Sequence, residues 1–215
     1  MTTLLPDTAQ LLAFISAGLA LNIIPGQDML YVIVQSSHGS RRRGLLSALA
    51  IGCGTLFHIA AVSLGLAGLL AAVPLAYSVV RIAGAIYLVW QGIAMWRTGG
   101  QPDEGSPGHA GQSSGRGMFL QGMLTNMLNP KVALFFLALL PQFCDPVRGS
   151  MGLQLALLGL IFCVNGTLVL LAVSLATHST SRRFGGSNTG QRWLKRIGGC
   201  VLAMLGLRLL LQRGQ

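Results

Sequence analysis

Two stretches of this chain, residues 44–80 and 149–181, carry no charged side chain at all. Each is longer than the roughly 20 residues a helix needs to cross the hydrocarbon core of a bilayer. Over all 215 residues, 52% are apolar and 9% charged, with a mean hydropathy of +0.64. A soluble domain carries about 25% charged residues. A chain this short has no single core able to hide so much apolar surface, and a soluble bundle would need wide polar helix faces that are not visible. The composition therefore specifies an all-α integral membrane protein.

Six spans are expected. They run from about Ala9 to Val34, Gly44 to Val73, Pro74 to Trp96, Gly117 to Leu140, Met151 to Thr177 and Trp193 to Leu211. Between the third and fourth lies a Gly/Ser/Pro-rich stretch almost without apolar content, which reads as a flexible linker. It divides the chain into an N-terminal unit at 1–96, a linker at 97–116 and a C-terminal unit at 117–215.

The formal charge of +10 suits nucleic acid less well than membrane lipid, because the basic residues cluster between apolar runs. Arg41, Arg42, Arg43, Arg97, Arg116, Arg182, Arg183, Arg192, Lys195 and Arg196 fall on one side, ten in all; Arg81, Arg148, Arg208 and Arg213 fall on the other. The positive-inside rule then puts the 1–2, 3–4 and 5–6 loops in the cytoplasm and both termini outside. No positive n-region precedes the first apolar run, so that run is read as a retained span. Cys53, Cys144, Cys163 and Cys200 show no metal or disulfide spacing and read as apolar fillers. No metal or cofactor is expected.

A shift of 105 residues pairs Phe14 with Phe119, Pro25 with Pro130, Arg43 with Arg148, Gly44 with Gly149, Gly54 with Gly159 and Phe57 with Phe162. A unit of three helices, repeated, enters the membrane in opposite senses. The expectation is two inverted three-helix repeats, an architecture of secondary transporters.

The first and fourth spans are each broken. Asn22, Pro25, Gly26, Gln27 and Asp28 interrupt one; Asn126, Asn129, Pro130 and Lys131 interrupt the other. Proline removes a backbone donor and orphans a carbonyl. Lipid tolerates this only beside protein or a water-filled cavity, and paired breaks in two halves point to a midplane binding site. Asp28 and Lys131, charges deep in expected spans, should face inward and find partners. They suit a permanent ion pair, or a zwitterion whose ammonium seeks Asp28 and whose carboxylate seeks Lys131. His58 is a proton-relay candidate beside Asp28, or simply a helix–helix hydrogen bond. Asn165 is a cavity-lining candidate.

These residues resemble the LysE/RhtB family of amino-acid exporters. The resemblance lies in Ile24-Pro25-Gly26-Gln27-Asp28-Met29-Leu30, in Leu128-Asn129-Pro130-Lys131, in Gly84 to Gly92 ending at Arg97, and in the small residues after Arg43. It covers nearly the whole chain. It departs at Gln27, where the family usually carries a second proline. The resemblance implies a bacterial inner-membrane protein that exports amino acids, driven by the proton motive force. Small neutral substrates such as threonine, homoserine or leucine are favoured over lysine, and a homodimer is an open assembly. An intramembrane enzyme is the alternative. It lacks an HExxH pair or a serine nucleophile motif, and a thiol relay through Cys53 and Cys163 lacks an activating charge.

Overall fold

The computed structural model describes residues 4–38, 40–66, 74–97 and 114–181, with positions 200, 203, 204, 207 and 211 helical beyond them. The linker at 98–113 and most of the sixth expected span, Trp193 to Leu211, lie outside the described residues.

The described chain is helical throughout. Helix α1 (Thr8–Ile23) starts where the Asp7 carboxylate accepts from Gln10 N, an N-cap. It ends at Pro25, and α2 (Gln27–His38) resumes at an angle of 53° to it. Helix α3 (Arg41–Ala61) is capped by Ser40 and runs on through a π-helical turn, Val62–Leu66. It begins three residues before the expected Gly44, so Arg41, Arg42 and Arg43 form its first turn rather than a loop. Ser40 is a better helix start than any residue nearer Gly44, and hydropathy alone does not register caps. Helix α4 (Pro74–Arg97) opens with proline at its first position, where no donor is needed.

Helix α5 (Gly115–Met127) is followed at 43° by α6 (Pro130–Leu134), which continues to Phe143 as a π turn and a 3₁₀ turn. Asn129 caps α6, its Oδ1 accepting from Lys131 N at 3.0 Å. Helix α7 (Met151–Ser181) is unbroken. Among the described residues two helices are long and apolar enough to cross a membrane, and four crossings result if each bent pair counts as one. Leu49, Leu56, Leu153, Leu160, Val164 and Leu168 point outward along these helices. Apolar rows of that extent on the outside are lipid-facing.

Close packing of α3 comes from glycine. A Cβ on Gly54 would sit 2.6 Å from the Met123 carbonyl oxygen, and one on Gly122 would sit 2.9 Å from the Tyr31 ring. Two larger apolar clusters form most of the core among the described residues. The first stacks Phe135 on Phe162, with ring centroids 4.3 Å apart, and packs Phe14 and Phe136 around them. The second gathers Met29, Tyr31, Val32, Ile51, Met118 and Leu170. The first cluster adjoins the end of the molecule where Arg148 binds the Leu5 carbonyl and the Gln10 amide. The second adjoins the end where the hydroxyls of Ser36 and Ser174 meet beside Gly44. The polar breaks lie between the two clusters.

Candidate functional site

Each break can be followed from its proline. In an unbroken helix the N–H of residue 25 would bond the Leu21 carbonyl and that of residue 130 the Asn126 carbonyl. Proline supplies neither. Lys131 Nζ replaces the first donor, lying 3.1 Å from Leu21 O and 2.9 Å from Ile24 O. His58 answers at the second, its Nε2 lying 3.0 Å from Asn126 O. A carbonyl only accepts, so the His58 tautomer that fits carries its proton on Nε2. Leu21 O, and Asn126 O, which also accepts from Asn129 N at 2.9 Å, are each met by a basic side chain from a helix distant in sequence. Gly26 makes room for the lysine, since a Cβ there would lie 3.2 Å from Nζ.

Asn126 is the hub between the breaks. Its Nδ2 donates to Asp28 Oδ2 at 2.8 Å, and its Oδ1 lies 3.2 Å from the Thr55 hydroxyl. Asp28 stands in the first turn of α2, where the helix dipole favours an anion. Its other oxygen, Oδ1, is buried without a hydrogen-bond partner, and so are Asn22 Nδ2 and Asn129 Nδ2. No ion pair within 4 Å joins Asp28 to Lys131, whereas Arg148 pairs with Asp7 and Asp145. A direct salt bridge, one of the sequence expectations, is thus replaced by two separate arrangements. The lysine caps a helix end, and the aspartate is held by an asparagine.

Between these groups lies a cavity of about 30 Å³, lined by Asn22, Asp28, Asn126 and Lys131 among polar residues. That is room for one or two water molecules. Both core clusters contribute to its walls, through Phe162 and Ile24 on one side and Met29, Ile51 and Leu170 on the other. The site is therefore flanked by an apolar cluster toward each end of the molecule.

Of the residues singled out in the sequence, Asn22, Asp28, Asn126 and Lys131 converge on the cavity. Gly26, Asn129 and His58 support it at one remove. Gln27 is exposed, with its amide 3.3 Å from the Thr125 carbonyl, and Pro25 and Pro130 act through the donors they lack. Asn165 is not among the lining residues; α7 contributes Phe162, Cys163, Gly166, Thr167 and Leu170 instead. His58 and Asp28 share Asn126 but do not touch, and the backbone oxygen that receives the His58 proton cannot hand it on. Sequence reasoning missed Thr55, Gly166 and Thr167. The row of small residues at 163, 166 and 167, at helical spacing, was the available signal.

The four cysteines are free. Burial pushes the Cys144 thiol up to about 12.

A comparison with protein families matches the LysE type translocator family over residues 19–213. The chain belongs to the LysE type translocator family. It is a multi-pass membrane transporter and not an enzyme. The homoserine/homoserine lactone efflux protein of Salmonella typhimurium is 32% identical over 145 residues, covering 67% of this chain and 69% of that protein. The threonine efflux protein of Escherichia coli K12 is 27% identical over 193 residues, covering 88% and 91%. An uncharacterized membrane protein of Vibrio cholerae is 31% identical over 137 residues, covering 64% of this chain and 66% of its own length. No solved structure matches the chain. The family match spans both breaks and the cavity, so the site lies within the part of this translocator that its relatives share.

Proposed function

We propose that this LysE-type translocator exports a small neutral amino acid of the threonine or homoserine kind by proton-coupled alternating access, and that the cavity at the two breaks is its substrate site. One observation carries the reading: a buried carboxylate oxygen, Asp28 Oδ1, stands without a hydrogen-bond partner at a small cavity that is also lined by a buried ammonium, Lys131 Nζ. A zwitterion completes both. Its ammonium takes Asp28 Oδ1. Its carboxylate takes Asn22 Nδ2 and the third N–H of Lys131, and Thr55 and Thr167 offer hydroxyls to a polar side chain. The efflux relatives act on substrates of that class by name.

Asp28 also supplies coupling. A proton and a substrate ammonium compete for the same oxygen, so protonation from outside releases the substrate there. His58 is assigned to holding the α5–α6 break. The 30 Å³ cavity is too small for an amino acid, so the two apolar clusters must part in turn to load and to release.

The same reading sets this cycle on six spans in two inverted repeats, 1–96 and 117–215, joined by a cytoplasmic linker at 97–116, with both termini outside the inner membrane. Under the 105-residue shift Lys131 is the counterpart of Gly26. A Cβ built on Gly26 would lie 3.2 Å from Lys131 Nζ, a nearness expected of residues beside a twofold axis between repeats.

The test is transport of labelled threonine, homoserine and leucine by everted vesicles, with and without an uncoupler. Uncoupler-sensitive accumulation of at least one is expected. Equal uptake in vesicles without the protein, for every amino acid tried, would overturn the reading.

A further inference from the structure

We propose that the end of α1 is a binding site for a small monovalent cation, and that the chain's own Lys131 ammonium fills it. The site is made of oxygen. Leu21 O is orphaned by Pro25, and Ile24 O lies one turn further at the same bend. Both belong to a helix C-terminus, where the backbone dipoles leave net negative potential. Asp28 adds a full negative charge within electrostatic range but outside contact distance. Freed carbonyls at the C-terminal end of a half-helix are the donors that coordinate sodium in discontinuous membrane helices. Here the donors meet an ammonium at 2.9 and 3.1 Å. Gly26 keeps the approach open, since a Cβ there would lie 3.2 Å from Nζ.

The lysine therefore does by tether what a dissolved cation does elsewhere. A tethered cation cannot diffuse away, so the break stays neutralised through every conformation in which Lys131 reaches it, and no sodium is needed. This inference concerns the backbone of α1 and stands whichever compound is carried.

Removing the tether should uncover the site. Full-length wild type, Lys131→Ala and Lys131→Gln are compared by thermal unfolding in methylammonium, sodium or choline chloride at equal ionic strength. Lys131→Ala vacates the site, and Lys131→Gln refills it with a neutral donor. The Ala variant is expected to melt lowest in choline and to gain roughly 5 °C with saturating methylammonium or sodium. Wild type and the Gln variant should not respond. An Ala variant indifferent to both cations, or a wild type that gains as much, overturns the proposal. If the Ala protein is not recovered folded from choline, the yield of monodisperse protein extracted in methylammonium against choline reads the same quantity, and equal yields overturn it. The readout contains no substrate, so failure of the export reading leaves it untouched.

Discussion

At the scale of the residue, Asn126 holds more of the site together than either charge. Its side chain binds Asp28 and Thr55, and its carbonyl binds His58. Asn126→Leu removes the donor that lies 2.8 Å from Asp28 Oδ2 and leaves Thr55 with Ile51 O alone. A buried charge stripped of its donor costs about 2–3 kcal/mol. Lower melting temperature and loss of transport by at least about tenfold are expected together in proteoliposomes. Asp28→Asn separates the two effects, because a neutral amide in the same place no longer needs a charge-assisted donor. It should keep the wild-type melting temperature within a few degrees while abolishing uncoupler-sensitive transport. Unchanged transport in Asp28→Asn would remove the carboxylate from the coupling role. Asp28 and Lys131 were visible in the sequence because charge is costly in an apolar run. Their partners were not, since Lys131 reaches carbonyls 110 and 107 positions away, and a carbonyl has no identity in sequence.

At the scale of the element, the prolines and glycines decide geometry. Pro25→Ala restores an N–H that can bond Leu21 O in competition with Lys131. The bend of 53° between α1 and α2 should relax, with little loss of stability and a large loss of transport, measured side by side by melting and flux. Glycine gives a sharper contrast. Gly54→Ala drives a methyl to 2.6 Å from Met123 O, whereas a Cβ on Gly65 meets nothing within 4 Å. Overpacking costs roughly 1–3 kcal/mol, so Gly54→Ala should reduce the yield of folded protein and Gly65→Ala should not. Both broken helices, and the long apolar runs of α3 and α7, were legible from hydropathy and from Pro25 and Pro130. The aromatic cluster of Phe14, Phe135, Phe136 and Phe162 was not. In a membrane protein a phenylalanine faces lipid as comfortably as it faces the core, so hydrophobicity carries no inside-or-outside signal.

At the scale of the whole molecule, the proposed orientation is a statement about two ends. Val147 is 87% exposed in the turn between Phe143 and α7, at the end proposed to face outward. In a cysteine-free background Val147→Cys should react with a membrane-impermeant thiol reagent added to intact cells, and Ser106→Cys in the linker should react only after lysis. The reverse pattern would invert the topology. Each break is also latched from afar, one by Lys131 and the other by His58, and this has a bearing on how the chain is made. Translation delivers α1 to the membrane long before the ammonium that answers Leu21 has been synthesised. Until residue 131 emerges, the first broken span holds an unmet carbonyl that hydrocarbon cannot solvate. A nascent chain arrested before that point must keep this span in a hydrated or chaperoned place. The insertion machinery then retains the first half until the second arrives, and a truncated chain presents quality-control proteases with a span that never becomes stable.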